Sequence, residues 1–177
     1  MIIDCHGHYT TTPEPLGAYR EAQKAALKKD PLHIGEKGVI AISDDQIRES
    51  LEQNQLKLQR QRGTDLTIFS PRASWMEHHV GNEHTSRFWT EHTNDLVHRV
   101  TQLYPKSFVG ACALPQSPGT SLRNSVTELD RCVRQLGFIG CNLNLDPSGG
   151  HFNSPPLGDR YWYPIYEKMV EIGRAHV

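Results

Sequence analysis

Met1-Ile2-Ile3-Asp4-Cys5-His6-Gly7-His8 opens the chain and decides how the rest is read. An apolar lead runs into an Asp-x-His-x-His string, the pattern of a first β-strand with polar residues at its C-terminal end. Side chains at i and i+2 of a strand share a face, so the spacing predicts that Asp4, His6 and His8 project together. Two neutral imidazoles side by side on rigid backbone supply half of a four-coordinate zinc site, which makes His6 and His8 the candidate metal ligands. The competing reading of the pair is structural: two polar residues that end a strand. Gly7 leaves room for another chain to approach from the opposite face. Asp4 is expected in a buried hydrogen bond that supports the strand end and orients an imidazole.

Outward from this strand, helical and extended patterns alternate. Residues 15–29 read as a helix, followed by a loop with Gly and Pro to Ile42. Ser43-Asp44-Asp45-Gln46 matches a capping box, and the helix that it opens is expected to run to Gly63. Leu66–Phe69 is a short strand ending in Ser70-Pro71-Arg72, and Glu83–Tyr104 is a long amphipathic helix. Ser107–Leu114 is a third strand, Ser121–Leu136 a helix stopped by Gly137, Phe138–Leu145 a fourth strand and Tyr163–Glu171 a last helix. Successive βα units imply parallel strands and right-handed crossovers. Two α/β architectures fit, a doubly wound sheet and part of a (β/α)8 barrel. No Gly-rich phosphate fingerprint follows the first strand, against a dinucleotide-binding sheet. Polar residues instead collect after each strand (His6 and His8, Arg72, Gln116, Asn142 and Asn144), as barrel active sites do at the C-terminal face. A barrel needs about 250 residues. The expected fold is therefore α/β, the N-terminal half of a TIM-type barrel with about four βα units, truncated before strand five.

A chain of 177 residues is read as one domain, and its formal charge of −1 leaves no electrostatic footprint for nucleic acid or an anionic membrane. No membrane span or signal peptide is legible. The four cysteines, Cys5, Cys112, Cys132 and Cys141, lack CxxC spacing and read as reduced, buried thiols of a cytoplasmic protein. Ten histidines are many for this length and point weakly to metal or acid–base chemistry.

The Asp-x-His-x-His strand end within a βα repeat resembles the metal-dependent amidohydrolase superfamily. Met1–Thr11, the Phe-Ser-Pro-Arg-Ala stretch at 69–73 and Arg-Tyr-Trp-Tyr-Pro-Ile-Tyr-Glu-Lys-Met at 160–169 are similar to its oxalomesaconate-type hydratases. The same branch holds zinc-dependent decarboxylases of aromatic and muconate-type acids. The resemblance implies hydration of a C=C bond in an unsaturated tricarboxylic keto acid from protocatechuate or gallate breakdown, with decarboxylation as the alternative. It also implies a single Zn2+ held by His6 and His8, by a histidine from strand five and by an acidic residue from a late strand. Neither of the last two has a counterpart here, and the catalytic proton donor is expected beyond the truncation as well. The partner is a small-molecule carboxylate, with a homo-oligomer of the full-length enzyme left open. A reading of another class, a non-catalytic βα-repeat binding module, would leave the histidine pair structural.

A substrate with several carboxylates needs cationic and amide clamps. Arg72 is placed for a bidentate grip, or else it caps a helix or pairs with an acid. Asn142 and Asn144 offer amide donors, or else satisfy the backbone of the Asp146-Pro147-Ser148-Gly149 loop. His78 and His79 are expected in a solvated loop, with a fold-over above the site as the alternative. His151 is placed like them, and His92 and His98 are expected to be exposed on the long helix. The barrel domain is assigned to 1–171. Ile172–Val177 coincides with the translation of a common sequencing-adapter start and is read as a non-native tail, so that His176 is no strand-five ligand. The 177-residue chain is expected to be inactive by itself and prone to self-association.

Overall fold

A computed structural model describes residues 1–173, and His176 with the rest of 174–177 lies outside the described residues. Strands β1 (Ile3–Tyr9), β2 (Leu66–Pro71), β3 (Phe108–Ala113) and β4 (Gly140–Asn142) form a parallel sheet in the order β1-β2-β3-β4. Helices α1 (Glu14–Lys29), α2 (Asp44–Glu52) and α3 (Gln55–Arg62) separate β1 from β2. Helix α4 (Glu83–Leu103) separates β2 from β3, α5 (Arg123–Arg134) separates β3 from β4, and α6 (Tyr163–Glu171) follows β4. Chain order and spatial order coincide, so the sheet has no switch point of the kind that a doubly wound fold requires. Its layout is that of consecutive barrel staves. Among the described residues, no helix is long and apolar enough to cross a membrane.

Local signals explain some element ends. Ser43 Oγ accepts from Gln46 N at 3.2 Å while Gln46 Oε1 accepts from Ser43 N at 2.8 Å, closing the expected capping box. Gly63 ends α3 in the left-handed conformation, φ 68°. The single helix expected from Ser43 to Gly63 is broken. Asn54 leaves helical geometry, and its Nδ2 takes the Ser50 carbonyl at 2.8 Å, the competition with backbone that short amides offer. The fourth strand is also shorter than Phe138–Leu145, because Asn144 is held by the Gln116 side chain rather than by a strand neighbour.

The core lies between the sheet's outer face and the helices. Phe69 and Phe108 stack with ring centroids 4.6 Å apart, Tyr9 joins at 5.5 Å, and Trp89, Leu96 and Val100 of α4 close over them. At Gly110 the Phe138 ring occupies the place of a Cβ, which lets the α5–β4 connection lie against β3. Cys112, Cys132 and Cys141 are buried as expected, and burial with neighbouring thiols pushes Cys112 up in pKa. Cys5 departs from expectation and is exposed.

Strand β1 carries an irregularity with consequences for the site. Asp4 pairs with Thr67 and Gly7 with Phe69, so the intervening Cys5 and His6 stand opposite Ile68 alone. This β-bulge resets the alternation. Asp4 lies on the side of Thr67 and Phe69, not with the histidines, and it is exposed rather than buried. His6 and His8 fall together on the other, concave face. Asp4 Oδ1 accepts from His6 N at 3.0 Å, tying the bulge from within. Gly7 faces β2, where a Cβ would meet Thr67 Cγ2.

Candidate metal-binding site

His6 and His8 stand at the C-terminal end of β1 with their Nε2 atoms 3.0 Å apart and their rings nearly perpendicular, at 81°. Tetrahedral zinc with bonds of about 2.0–2.1 Å would hold two such nitrogens about 3.3 Å apart. The pair is therefore close to the spacing that one ion requires. His8 is partly buried, and its Nδ1 lies 2.8 Å from Ser70 Oγ and 3.0 Å from the Pro71 carbonyl oxygen. A carbonyl only accepts, so Nδ1 carries the proton and donates. Burial and then His6 lower the pKa of His8, against the Pro71 carbonyl and Asp4. A neutral imidazole with Nε2 free is the form that binds a metal. Among the described residues, no group of three or more His, Cys, Asp or Glu side chains is arranged to hold a metal ion. The donor set here is the imidazole pair.

The pair opens on a concavity of about 400 Å³, lined by Ile68, Ala111, Leu143 and Leu157 and by the half-buried Asn142. Asn142 Nδ2 donates to Ser70 Oγ at 2.8 Å, so this expected amide donor is joined to the histidine pair. Asn144 is not. Its backbone N–H donates to Gln116 Oε1 at 2.8 Å, its carbonyl accepts from Gln116 Nε2 at 3.2 Å, and its Oδ1 accepts from Asp146 N. Arg72 is exposed just past β2, and its Nε donates to Ser74 Oγ at 3.0 Å.

Three histidines differ from expectation. His78 is 2% exposed, with Nδ1 accepting from Gln116 N at 3.3 Å, and its loop packs inward where solvation was expected. Burial, reinforced by the nearby Arg20 charge and His79, pushes its pKa down to about 3. His92 is buried, with Nε2 2.7 Å from the Lys37 carbonyl, and His98 is half-buried, with Nδ1 3.1 Å from the Leu136 carbonyl. His79 and His151 are exposed. The His79 ring lies where a Cβ on Gly149 would sit, which brings the loops after β2 and β4 into contact. Ser70 is the site residue that the sequence analysis missed. Its only signal is a hydroxyl at the end of a strand, and its link to His8 depends on the register that places the two side by side.

Sequential parallel strands with polar side chains gathered at their C-terminal ends define a protein of the βα-barrel class. The chain belongs to the amidohydrolase family, whose sequence model matches residues 3–176. It is 55% identical over 174 residues to 2-keto-4-carboxy-3-hexenedioate hydratase of Sphingobium sp. (strain SYK-6), across 97% of this chain and 50% of that protein. The crystal structure of 4-oxalomesaconate hydratase from Rhodopseudomonas palustris matches with a TM-score of 0.86 at 49% identity, covering 99% of this chain and 51% of the other. The 5-carboxyvanillate decarboxylase of Novosphingobium aromaticivorans, crystallised with manganese, matches with a TM-score of 0.66 over 98% of this chain and 48% of that one. At 20% identity it shows the shared fold alone. The chain spans about half the length of the curated relatives it matches. Its parallel sheet with alternating helices corresponds to the N-terminal half of those longer barrels.

Proposed function

We propose that this chain is the N-terminal part of a hydro-lyase that adds water to the C=C bond of an unsaturated tricarboxylic keto acid of the oxalomesaconate type. The pathway class is protocatechuate or gallate breakdown. The observation that carries the proposal is the 55% identity to a hydratase across 97% of this chain, set beside a histidine pair whose Nε2 atoms converge to 3.0 Å. In this reading His6 and His8 hold one Zn2+, together with ligands from a longer chain. A bound divalent ion there supplies a Lewis acid for a substrate oxygen and lowers the pKa of coordinated water.

The chain's own residues contribute binding. Arg72, exposed at the end of β2, offers a planar fork to a substrate carboxylate. The aliphatic side chains of Ile68, Leu143 and Leu157 offer apolar contact to the carbon skeleton. Decarboxylation has weaker support: a decarboxylase of Dictyostelium discoideum is 29% identical over only 85 residues. The test is made on a chain of the relatives' full length that carries these residues, supplied with 4-oxalomesaconate. Loss of the conjugated chromophore without release of carbon dioxide is the expected result. Carbon dioxide release would overturn the assignment in favour of a decarboxylase.

A further inference from the structure

Resting on the reading of His6 and His8 as ligands, we propose that Ser70 and Asn142 are positioning residues that lock His8 in the tautomer with a bare Nε2. They do so through hydrogen bonds that converge on the Ser70 hydroxyl of β2, which accepts from Asn142 of β4 and from the imidazole on β1.

The inference follows from counting protons on one hydroxyl. Ser70 Oγ has a single proton and two lone pairs. Four groups surround it: Asn142 Nδ2 at 2.8 Å, His8 Nδ1 at 2.8 Å, the Gly7 carbonyl at 3.2 Å and the Pro71 carbonyl at 3.3 Å. The two carbonyls only accept, so the hydroxyl proton goes to one of them. Asn142 Nδ2 only donates and takes one lone pair. The remaining lone pair faces His8 Nδ1, which must bring its own proton. The Pro71 carbonyl, 3.0 Å from that nitrogen, makes the same demand. A neutral imidazole carries one N–H, so Nε2 is left bare and turned toward His6. Ser70 is 2% exposed, and water does not compete for its hydroxyl. Asn142 therefore spends an amide hydrogen on Ser70 that the sequence reading had offered to a substrate. Without it, the hydroxyl is free to swing its proton onto Nδ1, and the opposite tautomer then competes with the one that the Pro71 carbonyl holds.

The test is long-range 1H–15N NMR on the 15N-labelled, metal-free chain, followed by calorimetric titration with Zn2+. Wild type is expected to show His8 protonated at Nδ1 alone. Ser70→Ala and Asn142→Ala should give mixed tautomers and weaken zinc binding about 10-fold, the lower end for losing a group behind a ligand. Ser70→Thr, which keeps the hydroxyl, should restore both. Should Ser70→Ala fail to fold, Asn142→Ala carries the test, since its side chain sits at the half-buried rim. Unchanged tautomer and zinc affinity in folded Asn142→Ala would overturn the proposal, as would an Nε2–H tautomer in wild type. A wild-type chain that shows the Nδ1–H tautomer but takes up no zinc supports the tautomer lock and overturns only the metal reading.

Discussion

The side-chain amide of Gln116 takes both backbone groups of Asn144, accepting from its N–H at 2.8 Å and donating to its carbonyl at 3.2 Å. Gln116 is 2% exposed and stands just beyond β3, so its amide replaces the backbone partner that β4 loses after Asn142. The same residue's backbone N–H reaches His78. One side chain thus ties the ends of β3 and β4 together, and its backbone adds the loop after β2.

Gln116→Leu should keep the bulk of this side chain while removing the partner of the half-buried Asn144 N–H and carbonyl. An unsatisfied buried group costs about 1–3 kcal/mol, and a loss near the lower end of that range is expected in urea unfolding, since water reaches Asn144 in part. Full stability in the variant would show that the exit of β4 is held by other contacts.

His78 predicts a pH dependence with a definite sign. Its pKa is about 3 in the folded chain, against an ordinary value of about 6.5 when unfolded. Between those values the unfolded chain binds a proton that the folded chain refuses. Stability is then complete above about pH 6.5 and falls by about 1.4 kcal/mol per unit below it. The loss reaches about 2 kcal/mol at pH 5, and His8 and His92 are shifted in the same direction. Urea midpoints at pH 7.5 and 5.0 should separate strongly in wild type and less in His78→Asn. Equal separation in the two proteins would remove His78 from the account.

Alternation of strands and helices, the Ser43–Gln46 capping box and the Gly63 stop were legible because each is written in a few adjacent residues. The histidine pair was legible for the same reason. The bulge was not. Nothing in Asp4-Cys5-His6-Gly7 marks an extra residue, since the bulge exists only in register with β2, more than fifty residues away. Asp4 turns to the other face on that account, and the contact of Ser70 with His8 is likewise written only in the register. His92 and His98 sit on polar positions of α4, yet the Lys37 and Leu136 carbonyls reach across to cover them. A helix pattern reports which face is polar, not what later packs against it.

His6→Ala should remove metal binding without unfolding the chain. His6 is exposed, and its side chain takes no part in the buried contacts of the core. Its loss leaves one imidazole where the pair stood, and zinc titration should show no site while the thermal midpoint stays within a few degrees. Zinc uptake equal to wild type would return the histidines to a structural role.

The last expectation concerns the 177-residue chain in solution. Among the described residues, β1 and β4 pair on one side each and form the two edges of the sheet. Unpaired strand edges offer N–H and C=O groups to a second chain. The β1 edge is also apolar at its start, with Ile2 57% and Ile3 50% exposed, and the concave face beside it is lined by Ile68, Ala111 and Leu143. Parallel sheets are ordinarily covered on both faces, and the described residues cover only the helical side. The combination favours association through β1 and the concave face over a dispersed monomer. Sedimentation velocity from low to high micromolar concentration should show mass rising with concentration. Ile3→Lys, which places a charge on that edge, should shift the distribution back toward the monomer. A chain that stays monomeric across the range, with Ile3→Lys no different from wild type, would show that the open edge and face are tolerated in water.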